Sequence, residues 1–217
     1  MPTVEQIRKL AAELKLEPAL VQAVCLVEAN GSGFLPPGAK SPAGRVVAGL
    51  PKILFEPHVY WQRLKAQRPS YNPAGLLTRD DVRRIHGDIS DLIYERWGTR
   101  PYGSTNAQWD RLERARAICR PAADESASWG SFQILGQNWQ ALGYKSVAEF
   151  VEKMHSTEGQ QEAFVRFLQV NKLVPFLQAK DWHTFARRYN GPKYATHGYH
   201  IKLAAAYEKA VKEGFNN

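Results

Sequence analysis

The stretch VQAVCLVEANGSGF, residues 21–34, sets a carboxylate on an apolar helical stripe. Val21, Val24 and Cys25 stand seven, four and three positions before Glu28, so a pitch of 3.6 residues per turn puts all four on one face. A chain that buries this stripe folds as packed helices and takes the acid inward with it. Pro18 after Glu17 is a start signal, and Asn30-Gly31 followed by Gly33 is a stop signal, which places Glu28 in the last turn. There the helix dipole and partial burial both disfavour the charged form, so a raised pKa is expected. The stretch alone is equally compatible with a capping or ion-pairing glutamate.

Helical periodicity dominates the rest of the chain. Thr3 with Gln6 opens an amphipathic helix in MPTVEQIRKLAAELKLEP, as a capping box. Pro57 starts PHVYWQRLKAQR, and a longer helix is expected over NAQWDRLERARAIC. Ser146 with Glu149 predicts a capping box for SVAEFVEKM, and Ala163, Phe164, Phe167 and Leu168 share a face of EGQQEAFVRFLQVN. Asp181 is the expected N-cap of DWHTFARRYNGP, where Trp182, Phe185, Ala186 and Tyr189 form a stripe and Gly191-Pro192 a stop. HIKLAAAYEKAVKEG is the last helix. Residues 68–105 carry Pro69, Pro73, Gly75, Gly87, Gly98, Pro101 and Gly103, which predicts short helices and loops. GRVVAGLPKILFE is the one clear β candidate. The expected fold class is mainly α, with a small β-hairpin or irregular β region near residues 45–56, in a single domain spanning 1–217.

At 217 residues, 44% of them hydrophobic, the chain is long enough for a core that needs no disulfide scaffold. Cys25 lies on the apolar stripe, so Cys25 and Cys119 are expected as reduced thiols of a protein folded in the cytoplasm. The charged N-terminal helix is not a signal peptide, and no run approaches the roughly 18 apolar residues of a membrane span. The net charge of +8 favours an anionic partner. Its basic residues are scattered through helices such as LERARAICR, without a basic arm or zinc-binding set, so no nucleic-acid partner is expected. His197 and His200 are three apart with no third ligand, so neither a metal nor another cofactor is expected.

Four stretches, CLVEANGSGF, PKILFEPHVYW, DESASWGSFQILGQNW and FARRYNGPKY, together resemble the N-acetylmuramidase domain of phage endolysins over residues 5–213. ILFEPH and ESASWGSFQI carry most of that resemblance. WGSFQI and YNG are also similar, more distantly, to motifs of goose-type lysozymes and lytic transglycosylases. The resemblance implies a lysozyme-like helical fold, with Glu28 as the first catalytic glutamate and Glu56 as the second carboxylate. That pairing suits glycoside hydrolysis, in which one acid protonates the leaving oxygen and a carboxylate activates water or stabilises positive charge. Glu125 in DESASWG is a rival second carboxylate. The loop between the two acids, residues 30–52, is longer than the family pattern.

Ser128, Trp129, Gln133, Tyr189 and Asn190 are the expected substrate-binding residues. Gln133 would fix the loop after Glu28 or bond a sugar amide; core packing accounts equally well for Trp129, Phe132 and Ile134. Tyr189 carries a hydroxyl that needs a partner, while a helix C-cap explains Gly191. The resemblance implies a monomeric endolysin that cleaves between N-acetylmuramic acid and N-acetylglucosamine in peptidoglycan, with the anionic envelope as a second partner. Such an enzyme is made in the host cytoplasm and meets the wall in the periplasm after release through the inner membrane. No separate wall-binding module is expected. Two alternatives are a lytic transglycosylase, which needs only Glu28 and leaves anhydro ends, and a non-catalytic wall-binding or tail-associated protein.

Overall fold

In a computed structural model, residues 2–28, 31–66, 78–96, 98 and 101–216 are described. Asn30, Pro69, Pro73 and Gly75, used above as stop and loop signals, lie outside them. The described residues form ten α-helices and three short strands. In chain order these are α1 (Val4–Leu14), α2 (Pro18–Glu28), β1 (Ile53–Phe55), α3 (Pro57–Ala66), α4 (Arg79–His86) and α5 (Ala107–Glu125), then β2 (Ala127–Trp129), β3 (Ile134–Leu135), α6 (Val147–Met154), α7 (Thr157–Val170), α8 (Val174–Gln178), α9 (Trp182–Asn190) and α10 (Tyr199–Lys212). The protein is thus mainly helical, with one small antiparallel sheet. None of these helices is long and apolar enough to cross a membrane. The chain divides into two compact units, Met1–Gly33 with Ser156–Asn217, and Phe34–His155.

Among the described residues the regular elements of the first unit are all helices. Thr3 and Gln6 close the expected capping box on α1, with Gln6 N donating to Thr3 Oγ1 at 3.2 Å and Thr3 N to Gln6 Oε1 at 2.9 Å. Every residue of α2 from Ala19 to Cys25 is buried, because α10 packs along it and α1 covers another side. Such all-round burial makes truncation costly: Leu20, 3% exposed, should lose about 2–5 kcal/mol on replacement by Ala. Asp181 caps α9 by accepting from Thr184 N at 3.0 Å. Gly191 ends it with φ of 80°, a conformation glycine adopts without strain.

In the second unit, β1 lies within the expected β stretch, but its partner is remote in sequence. Ile53, Leu54 and Phe55 pair antiparallel with Trp129, Ser128 and Ala127, and β2 pairs in turn with β3. Ala127–Trp129 reads poorly as a strand because it is only three residues long and takes its pairing from Ile53–Phe55. Within the long loop, bridges join Phe34 to Pro51 and Lys40 to Val46, and Asp110 of α5 accepts from Ser41 Oγ at 2.6 Å and Ala43 N at 3.0 Å.

Helix α5 runs past the expected end at Cys119, bending where Cys119 leaves helical geometry (φ −154°, ψ 99°) two residues before Pro121. Proline lacks an N–H and crowds the preceding turn, which accounts for the kink. Beyond it, Asp124 takes a buried ion pair from Arg116 at 2.6 Å. A methyl group at Gly136 would sit 2.1 Å from the Asp124 carbonyl oxygen, so only glycine fits there. On α6 the expected capping box is shifted. Ser146 Oγ accepts from Glu149 N at 3.1 Å, but the Glu149 carboxylate takes Lys145 N at 2.6 Å, one residue outside the cap.

Candidate active site

Glu28 is the last residue of α2, half-buried, in a helix whose final turn carries no basic residue. Asn190, at the end of α9, donates from Nδ2 to Glu28 Oε1 at 3.0 Å. Burial pushes the Glu28 carboxyl up to about 7, against the Asn190 hydrogen bond and the charge of Lys202, both of which favour the anion. Desolvation therefore outweighs one neutral donor and one cation. The site is backed by groups that hold their protons. Burial pushes the Cys25 thiol up to about 12, which rules it out as a thiolate nucleophile near neutral pH. The Tyr189 phenol is raised well above its usual range by burial and by the Glu28 charge, and Tyr199, opening α10, is raised by the same two causes in the same order. Tyr189 is fixed by its ring, stacked on Phe185 at 5.5 Å and edge-on to Phe167 at 5.4 Å.

Glu56, in the second unit, sits between β1 and α3. Its N–H donates to Ser126 O at 2.8 Å, and its carbonyl accepts the first bond of α3 from Tyr60 N at 2.9 Å. The side chain is 15% exposed. Tyr102 donates its hydroxyl to Glu56 Oε2 at 2.5 Å, and His58 Nδ1 stands 3.4 Å from the same oxygen. Burial raises the carboxyl while the Tyr102 hydrogen bond and His58 hold it down. Among the described residues both side-chain partners address Oε2.

A model of the N-acetylmuramidase family matches residues 17–211. The chain belongs to the N-acetylmuramidase family. This muramidase is also similar to a solved structure, the Burkholderia AP3 phage endolysin, at 34% identity and a TM-score of 0.79, over 97% of this chain and 72% of that one. No curated protein matches it. The family assignment makes the chain a peptidoglycan-degrading enzyme.

The other expected site residues of the muramidase fall into different environments. Glu125 accepts from Trp139 Nε1 at 2.9 Å and faces Arg63 Nε at 3.7 Å, so both its oxygens are committed to neighbours. Trp129 was expected on substrate, but it is 1% exposed, donates its indole N–H to Asp124 O at 3.1 Å and packs edge-on against Trp109 at 6.0 Å. It is a core residue with no edge for a sugar. Ser128 is half-exposed in the central strand. Gln133 is exposed, with φ of 49°, and donates from Nε2 to Gly130 O at 2.8 Å inside its own turn.

His200 lies against His183 at 4.2 Å, and His197 edge-on to Tyr199 at 6.1 Å. Among the described residues no three His, Cys, Asp or Glu side chains converge on a possible metal position. Sequence reasoning missed Tyr102, Tyr199 and Lys202. Tyr102 lies 46 residues from Glu56 between Pro101 and Gly103, where no periodicity marks it. His58 was missed as well, although it stands only two residues after Glu56 in ILFEPH.

Proposed function

We propose that this muramidase hydrolyses the β-1,4 bond between N-acetylmuramic acid and N-acetylglucosamine, acting as a phage endolysin in host lysis. The observation that carries the reading is a half-buried glutamate pushed up to about 7 with an amide donor on one oxygen. Such a carboxyl still holds a proton near neutral pH and can give it to the departing glycosidic oxygen. In this reading Glu28 is the general acid. Glu56, with two groups favouring its anion, is the carboxylate that stabilises the oxocarbenium-like centre or takes a proton from the attacking water.

Asn190 and Tyr189 would hold substrate at the first acid, and Ser128 and Gln133 would bond sugar amides or hydroxyls in the second unit. The endolysin neighbour supports a phage origin, synthesis in the host cytoplasm and action in the periplasm after passage through the inner membrane. We propose a monomer in which residues 1–217 form one catalytic domain. With +8 net charge, anionic envelope material is a further partner.

The test is lysis of chloroform-permeabilised Gram-negative cells, followed by mass spectrometry of the released fragments. Reducing muramic acid ends are expected. Anhydro ends would replace the hydrolase by a lytic transglycosylase, and absence of any released fragment by a wall-binding protein.

A further inference from the structure

We propose that Tyr102, gripped from behind by Gln108, is a positioning residue that fixes the placement and protonation range of Glu56. The inference rests on the reading of Glu56 as the second carboxylate only where it concerns rate. Gln108 lies in the first turn of α5 and is 1% exposed. All of its polar atoms are used. Its Oε1 accepts from Phe55 N at 3.3 Å, and its Nε2 donates to Tyr102 O at 2.6 Å and Ser104 O at 3.2 Å.

One amide thus ties the residue immediately before Glu56 to the residue whose hydroxyl meets the Glu56 carboxyl. A buried amide is retained where its bonds are made, since leaving any of them open is costly. Arg111, one turn further along the same face of α5, adds a second donor to Tyr102 O at 2.5 Å and is itself beside Asp91 at 3.9 Å. Two side chains of one helix therefore clamp a single carbonyl in a loop that contains Pro101 and Gly103. The clamp aims the phenol. The clamped carbonyl belongs to the segment 101–105, which forms neither helix nor strand. Among the described residues the other titratable group facing Glu56 is His58, on α3, which does not depend on the clamp.

The experiment follows the Glu56 carboxyl by carbon NMR across pH in the full chain, alongside the pH profile of lysis. Tyr102→Phe deletes one hydroxyl at a half-buried loop position and should fold. It removes a donor to the anion, so the Glu56 titration should move up by about one pH unit. The acid limb of the lytic rate should move up with it. Gln108→Met should shift both in the same direction, and the double variant should shift no further than Tyr102→Phe alone. Gln108→Asn, which keeps a polar amide but shortens its reach, replaces Gln108→Met if the latter does not fold. An unchanged Glu56 titration in Tyr102→Phe overturns the proposal, as does a double variant whose shift is the sum of the two singles. A shifted titration with an unmoved lysis profile upholds the brace and removes Glu56 from the catalytic role.

Discussion

The two acids of this enzyme are the same residue type at opposite ends of helices. Glu28 closes α2, where the helix dipole adds to burial in disfavouring the charge; Glu56 precedes Pro57 at the start of α3, where the dipole opposes burial. Their partners repeat the contrast. Glu28 receives one neutral amide, whereas Glu56 receives a phenol and stands beside an imidazole, both on one oxygen. Burial raises both carboxyls, so burial alone does not separate an acid from a base. Helix polarity and the donor set are what distinguish the two environments, in line with the roles proposed for them.

Replacing the first acid should have the largest effect. Glu28→Gln keeps the shape and the Asn190 contact but deletes the transferable proton, and lysis should fall ~10²–10⁴-fold. The same variant should change the pH dependence of stability. Glu28 is raised from 4.5 to about 7 in the fold, so between these values the folded state holds a proton that the unfolded chain has released. The stability tied to it is fully present below pH 4.5 and lost as pH rises through 7, on the order of 3 kcal/mol. Thermal melts should show Glu28→Gln gaining on the wild type between pH 4.5 and 8. A melting difference that does not vary with pH would mean that Glu28 is not a protonated acid in the fold.

Next in size is Glu56→Gln, expected to cost about 10²-fold, with wild-type fragments ending in reducing muramic acid. Near-full activity together with anhydro ends would break the comparison outright. Water activation would then be excluded and Glu28 would act alone as acid and base.

Glu28 was legible in the sequence because the signals that place it are local: an apolar stripe, Pro18 at the helix start and glycines after its end. The environment of Glu56 was not legible, since it is assembled from Ser126 after the kinked end of α5, the segment holding Tyr102 and Gln108 in the first turn of α5. Ser126, Tyr102 and Gln108 reach Glu56 or its neighbour from 46 to 70 residues away, and no period of 2 or 3.6 encodes such a meeting. Trp129 shows the converse failure. It lies in the motif that most resembles the family, but that motif builds the turn of a hairpin and a tryptophan core as well as a surface, and sequence does not tell which face each residue takes.

The smaller tests concern how finely the first acid is set. Asn190→Leu removes the donor to Glu28 Oε1, so the carboxyl should rise above about 7 and the basic limb of the lysis profile should move up by about one pH unit. KM should also rise if the same amide holds substrate, whereas a limb that moves down would assign Asn190 to stabilising the protonated form.

Lys202→Met is expected to give the smallest shift. Lys202 carries an exposed ammonium on α10 that favours the Glu28 anion through its charge, with less effect than the Asn190 hydrogen bond. Removing it should move the basic limb upward by a few tenths of a pH unit, and only at low ionic strength, because exposed charges are screened over about 10 Å at 0.1 M salt. In the wild type, raising the salt should reproduce that shift while also weakening sedimentation with purified sacculi, to which the +8 net charge contributes. The two effects of salt can be told apart in Lys202→Met: its basic limb should no longer respond to salt, while its wall binding still does. A limb that remains salt-sensitive in Lys202→Met would place the source of the field on another cation and leave Asn190 as the one identified group that restrains the rise of Glu28.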